Sequence, residues 1–106
     1  IHIMDLADAH CLAIEYLLEK STSEFLSLNI GTGKGTSVLE LLTTFESVNS
    51  CKIPFIFVDR RPGDVAISFA NNELALSTLK WSPKRNISDM CRDGWQWQKL
   101  NPNGYE

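Results

Sequence analysis

The chain has 106 residues, of which 43% are hydrophobic and 22% charged, and its formal net charge is -3. This length predicts one small domain over residues 1–106, and the mild acidity argues against a nucleic-acid partner. No run of about 18 apolar residues occurs, so no membrane span is expected, and three scattered cysteines without a Cys-x-x-Cys pair favour a reduced, cytoplasmic protein without bound metal.

The first elements along the chain are a helix and a strand. The opening Ile1-His2-Ile3 has the apolar pattern of a strand cut at its middle and lacks an initiator methionine, which suggests a piece of a longer protein. Asp5 is a typical N-cap and predicts a helix over residues 6–19. The apolar arc of this helix is wide, so we expect it to pack on more than one neighbour. Residues 25–30 then form a short strand.

A strand, a helix and a second strand follow one another in the middle of the chain. After the strand at 25–30 comes a glycine-rich turn, and Ser37 and Glu40 match the capping box of a helix that ends near residue 49. The apolar run 55–58 has the length and composition of a buried strand. This order predicts a βαβ unit, with two flanking helices: a short one capped by Asn71 or Asn72 that ends near Leu79, and one over 87–100. The predicted fold class is therefore α/β.

The most informative stretch is the charged turn that follows the second predicted strand. Arg60 and Arg61 are adjacent, and the fork of an arginine guanidinium matches the oxygens of a phosphate. The next two residues, Pro62 and Gly63, predict a turn that brings Arg61 and Asp64 to one side. The Asp64 carboxylate can accept hydrogen bonds from sugar hydroxyls. These residues fit a site for a phosphorylated sugar, and they also fit a solvated charged turn.

The glycine turn imitates the start of a dinucleotide-binding fingerprint. Gly31 and Gly33 lie between a predicted strand and a helix, and Asp59 ends the next strand, where such a site has a ribose-binding acid. The third glycine is missing, because Thr36 occupies its position. Turns of this kind also start helices without any ligand, so no cofactor is assigned here. No Ser/His/Asp arrangement can be assembled either, and no catalytic residue is assigned.

The order of motifs resembles the C-terminal part of the UDP-galactose 4-epimerase (UDP-glucose 4-epimerase) family of extended short-chain dehydrogenases/reductases. The likeness covers the whole chain, and its last segment, which ends in Asn-Pro-Asn-Gly-Tyr, is more particular to the epimerases than the others. The segments that carry it are residues 1–10, 28–33, 37–39, 60–64 and 95–105.

The resemblance implies an isomerase that oxidises and re-reduces a UDP-sugar at C4 with NAD. The NAD-binding Rossmann domain and the catalytic Tyr-x-x-x-Lys pair of the family lie in its N-terminal part, so this chain is expected to bind no NAD and to be inactive alone. Family members form homodimers mainly through that missing domain. The part present here holds the UDP moiety. By the resemblance, Arg61 would contact the diphosphate, Asp64 the nucleotide ribose, and Val38 the uracil or ribose.

One further position bears on the choice of sugar. Ser68 lies where some family members have a bulky tyrosine and others a small residue, and the small form leaves room for an N-acetyl group. The resemblance therefore predicts that the intact enzyme also accepts UDP-N-acetylhexosamines. Two other functions stay open: the equivalent part of a nucleotide-sugar dehydratase or decarboxylase, and a non-catalytic nucleotide-binding module.

Overall fold

The structure is a computed structural model that describes residues 1–105. In this part of the chain there are four helices: α1 (Ile3–Leu18), α2 (Val38–Asn49), α3 (Glu73–Leu79) and α4 (Ile87–Leu100). The chain divides into two compact units, the first made of Ile1–Lys34 and Phe69–Asn86 and the second of Gly35–Ser68 and residues 87–105. None of the described helices is long and apolar enough to cross a membrane.

The first unit is built around the packing of α1 on α3. Its buried apolar side chains are those of Ala9 on α1, Ala75 and Leu79 on α3, and Trp81 just beyond α3. The indole nitrogen of Trp81 donates a hydrogen bond to the main-chain carbonyl of Asp5 at 3.1 Å. Because a buried indole N–H needs an acceptor, this bond lets the large ring enter the core without an unpaired donor.

The N-terminal end of α1 differs from the prediction. Ile3 begins the helix rather than lying in a strand, and His2 is the N-cap, with its Nδ1 accepting a main-chain N–H of the first turn at 3.1 Å. Asp5 is therefore not the cap: its buried carboxylate accepts N–H groups of Lys84 and Arg85 instead. Aspartate is a preferred N-cap residue and histidine is not, so the local sequence favoured the wrong residue.

The second unit consists mainly of α2 packed on α4. The Phe45 and Trp95 rings meet edge to face, with their centroids 5.6 Å apart. Next to them, the side-chain amide of Asn49 donates to the main-chain carbonyl of Cys91 at 3.2 Å. Cys91 is buried in this contact, and burial raises the pKa of its thiol because the charged form is poorly solvated there.

Three of the predicted helices agree closely with the structure. The helix α2 begins after Ser37, whose hydroxyl accepts the Glu40 N–H at 3.0 Å while the Glu40 carboxylate accepts the Ser37 N–H, so the predicted capping box is confirmed. The bounds of α4 match the predicted 87–100, and α3 follows Asn72, one of the two predicted cap residues, and ends at Leu79 as predicted. These helices were predictable because their start signals are local in the sequence.

The predicted βαβ unit is not found, because the structure describes no strand within residues 1–105. Among these residues, no main-chain hydrogen bond outside the helices involves the segment 25–30 or the segment 55–58. The two segments belong to different compact units, and side chains such as Phe25 and Ile56 are exposed. An apolar segment becomes a strand only by pairing with a neighbour, and neither segment has a partner strand within the described part of the chain.

Candidate functional site

The charged turn of the second unit is a β-turn from Arg61 to Asp64. The Asp64 N–H donates to the Arg61 carbonyl at 3.2 Å. Gly63 has φ +88° and follows Pro62, which is the residue order of a type II turn. Proline sets the φ angle that the second turn position needs, and glycine adopts the positive φ of the third position without a steric penalty. The turn that the sequence predicted is therefore present.

The side chains of Arg61 and Asp64 form an ion pair across this turn. Arg61 Nε lies 3.1 Å from Asp64 Oδ2, and the two side chains are 84% and 42% exposed. Water screens a pair this exposed, so its contribution to stability is at most about 1 kcal/mol. Within residues 1–105 the pair engages one guanidinium nitrogen and one carboxylate oxygen. Both groups therefore keep hydrogen-bonding capacity for a ligand.

The other two predicted site residues lie in the same compact unit. Val38 is the first residue of α2 and is 80% exposed. Ser68 is also exposed and is the last residue of Gly35–Ser68, the first of the two segments that form the second unit. No hydrogen bond joins either of them to Arg61 or Asp64 among the described residues. The structure thus brings Arg61 and Asp64 into direct contact, and it leaves Val38 and Ser68 as accessible surface groups.

The glycine turn of the first unit is filled by this chain's own residues. A Cβ built on Gly31 would lie 2.6 Å from the Cβ of Ala70, so only glycine fits there. Gly33 has φ +71°, and the Asn72 side chain donates to the Gly31 carbonyl at 3.2 Å. These contacts explain both glycines by packing and backbone conformation. The turn does not fit NAD, which needs open main-chain N–H groups and close approach to the backbone.

A Tyr-x-x-x-Lys spacing does occur in this chain, at Tyr16 and Lys20, which were not among the residues predicted for the site. The Tyr16 hydroxyl donates to the Glu24 carboxylate at 3.1 Å. The Lys20 ammonium lies 4.2 Å from the centre of the Tyr16 ring and 3.4 Å from Glu24, and its contact with Tyr16 raises the pKa of Lys20. The Glu24 carboxylate already accepts the hydrogen bond of the Tyr16 hydroxyl, so this cluster ties the end of α1 to Glu24 and is not arranged as a catalytic pair.

A second cluster that the sequence did not reveal surrounds Asp5. Burial by itself raises the pKa of this carboxyl, but hydrogen bonds from Arg85 and Lys84 outweigh burial and hold the pKa below its usual value. The Arg85 guanidinium also binds Asp5 Oδ1 and lies 3.8 Å from Asp8. The Asp5 carboxylate is 1% exposed and is bound by Lys84 and Arg85, so the cluster joins α1 to the segment after Trp81.

A surface cavity of about 370 Å³ lies at the C-terminal end of α2 and includes none of the four predicted site residues. Glu46 in its wall accepts the Ile53 N–H at 2.8 Å and the Lys52 ammonium at 3.3 Å. The bond from Ile53 is the main reason that the pKa of Glu46 is lowered. Among residues 1–105, no three His, Cys, Asp or Glu side chains are grouped to hold a metal ion.

Comparison with known proteins gives a consistent result. The chain is 44% identical over 106 residues to the UDP-glucose 4-epimerase of Bacillus subtilis, covering 100% of this chain and 31% of that protein. It is 49% identical over 105 residues to the UDP-glucose 4-epimerase of Yersinia enterocolitica, covering 99% and 30%. No protein-family model matches the chain.

Two solved structures that resemble this chain are also UDP-glucose 4-epimerases. A UDP-glucose-4-epimerase from Stenotrophomonas maltophila, solved with bound NAD and formylated UDP-arabinopyranose, matches 96% of this chain with a TM-score of 0.89 and 46% identity. The UDP-glucose 4-epimerase of Bifidobacterium longum, in complex with NAD+ and UDP, matches 99% with a TM-score of 0.88 and 36% identity. In both cases the match covers 30% of the solved chain.

These likenesses are all to sugar-nucleotide epimerases. The resemblance to the UDP-glucose 4-epimerases is confirmed, and the chain matches the C-terminal part of those isomerases over its whole length. It spans about 30% of the length of the curated relatives. The relatives and solved structures named above are all epimerases, which disfavours a dehydratase, a decarboxylase or a non-catalytic module.

Proposed function

We propose that this chain is the UDP-sugar-binding C-terminal domain of an enzyme that interconverts UDP-galactose and UDP-glucose by oxidation and re-reduction at C4. The observation that carries the proposal is the 44–49% identity with UDP-glucose 4-epimerases over the whole chain. The chain is inactive by itself on this proposal. Its glycine turn does not fit NAD, so the rest of the longer protein supplies the NAD site and the tyrosine base.

The site residues divide the UDP moiety among them. Arg61 binds the diphosphate, because its guanidinium is 84% exposed and keeps free donors beside its ion pair. Asp64, three residues further along the turn, accepts hydrogen bonds from the ribose hydroxyls. Val38 is an exposed apolar group at the start of α2 and covers the uracil or the ribose. These roles come from the resemblance, and the geometry of the turn supports the first two.

The remainder of the longer protein is the main partner of this chain on the same proposal. The side chains of Ile14, Leu17 and Leu18 on α1 are at least 49% exposed, which is unusual for a continuous apolar face. We propose that the NAD-binding domain covers this face and gives segment 25–30 the neighbouring strand that it lacks here. The homodimer forms through that domain, and the enzyme acts in the cytoplasm.

Calorimetric titration of the chain with UDP tests the proposed half-site. Arg61→Ala is expected to lower UDP affinity tenfold or more, because a charge-assisted hydrogen bond contributes about 1.5–3 kcal/mol. Arg60→Ala is the matched control, since it removes the same charge from the neighbouring exposed residue. Equal losses in the two variants would indicate unspecific charge attraction. Absence of UDP binding by a chain that circular dichroism shows to be folded would contradict a preformed half-site.

The size of the residue at position 68 tests the choice of sugar. With Ser68, the full-length enzyme is expected to convert both UDP-galactose and UDP-N-acetylgalactosamine. Ser68→Tyr is expected to abolish conversion of the N-acetylated sugar and to retain conversion of UDP-galactose, because the larger ring fills the space of the N-acetyl group. A full-length enzyme that converts UDP-galactose but not UDP-N-acetylgalactosamine would refute this assignment.

A further inference from the structure

Asp64 is placed to control which anions reach Arg61. The carboxylate already contacts the guanidinium, with Asp64 Oδ2 3.1 Å from Arg61 Nε. We propose that Asp64 makes this site selective for phosphates that carry sugar hydroxyls and against bare phosphate and pyrophosphate. The inference rests on the proposed function, since it takes Arg61 as the group that binds the diphosphate.

The turn keeps the competing carboxylate next to the guanidinium. The Asp64 N–H donates to the Arg61 carbonyl at 3.2 Å, and Gly63 closes the turn with φ +88°. A β-turn holds the Cα atoms of its first and fourth residues within about 7 Å. The carboxylate therefore acts as an attached competitor, whose local concentration at Arg61 stays high whatever ligand is in solution.

A phosphate that binds Arg61 must displace this carboxylate or share the guanidinium with it. Displacing the Asp64 carboxylate costs little free energy, because the Arg61–Asp64 pair is exposed and a phosphate binds the guanidinium through two oxygens. The displaced carboxylate then lies close to the phosphate charges, and like charges repel one another. Sugar hydroxyls change this balance, because they donate hydrogen bonds to the carboxylate. A nucleoside diphosphate therefore gives both Arg61 and Asp64 a partner, whereas pyrophosphate gives one only to Arg61.

Titration with inorganic pyrophosphate and with UDP separates this role from simple contact with the ribose. Asp64→Asn removes the competing charge, so it is expected to tighten pyrophosphate binding about two- to fivefold, the range that a surface ion pair allows. The same variant is expected to weaken UDP binding. Asp59→Asn is the matched control, because it removes one negative charge from the same exposed stretch, where no ion pair of Asp59 with Arg61 is found among the described residues.

The outcomes distinguish the possible roles of Asp64. A larger gain in pyrophosphate affinity for Asp64→Asn than for Asp59→Asn supports the selectivity role. Equal gains would mean that only long-range charge matters, and a loss of pyrophosphate affinity in Asp64→Asn would mean that the carboxylate positions Arg61; either result overturns the inference but leaves the proposed function standing. If the folded wild-type chain binds no UDP, it has no preformed half-site and the inference fails, whereas the proposed function, which rests on sequence identity, stands.

Discussion

The buried carboxylate of Asp5 offers the sharpest test of how the first unit is held together. It is 1% exposed and accepts hydrogen bonds from Lys84 N–H at 3.1 Å, from Arg85 N–H at 2.9 Å and from the Arg85 guanidinium. Asp5→Asn keeps the volume but removes the charge. The amide has one oxygen in place of two, so its NH2 group faces either the two main-chain N–H groups at the Oδ2 position or the Arg85 guanidinium at the Oδ1 position, and all of these are donors.

We expect Asp5→Asn to lower the free energy of unfolding by about 3 kcal/mol, the low end of the cost of breaking a buried charge pair. The low end applies because Arg85 is 35% exposed and can regain water. Asp8→Asn is the matched control: Asp8 lies on the same helix, 3.8 Å from the same guanidinium, but is 45% exposed. Its cost is expected to stay below about 0.5 kcal/mol. Urea unfolding followed by circular dichroism measures both.

The stabilisation of the folded chain by the Asp5 carboxylate depends on pH in a defined direction. The pKa of Asp5 lies below its usual value of 3.8 in the folded chain. A lowered folded-state pKa means that the stabilisation is complete above the unfolded pKa and is lost as the pH falls through the folded pKa. The difference between wild type and Asp5→Asn is thus expected to be constant near neutrality and to shrink below about pH 4. A stability difference between Asp5→Asn and Asp8→Asn of under about 0.5 kcal/mol at pH 7 would refute this account.

Three further variants test local features, each by its urea midpoint at neutral pH. Ser37→Ala removes the capping hydroxyl of α2 and is expected to cost about 1 kcal/mol; no loss would mean that Glu40 alone maintains the helix start. Gly31→Ala would place a Cβ 2.6 Å from that of Ala70 and is expected to cost about 1–3 kcal/mol, and unchanged stability would show that the turn moves freely. Gly94 lies in the interior of α4, and a Cβ built on it has no heavy atom within 4 Å, so Gly94→Ala is expected to stabilise the chain by about 1 kcal/mol. Destabilisation would mean that the added methyl group meets a neighbouring atom.

Part of the candidate site was predictable because it depends on a few neighbouring residues. The pair Pro62-Gly63 dictates a turn, and that turn brings Arg61 and Asp64 together without help from the rest of the chain. The roles of Val38 and Ser68 come from resemblance alone, and no contact among the described residues links them to the turn. The packing reason for Gly31 was not predictable, because it depends on Ala70, a residue distant in sequence.

The sequence by itself determined the helices whose signals are local, such as α2 with its capping box at Ser37, and the likeness to the epimerases. Tertiary structure decided the roles of residues whose partners are distant. Asp5 looks like a helix cap in the sequence. In the structure its buried carboxylate accepts hydrogen bonds from Lys84 and Arg85, and His2 is the N-cap of α1. The prediction of a strand at 55–58 was wrong because it also depended on a distant partner: a strand, unlike a helix, forms its main-chain hydrogen bonds with another segment of the chain.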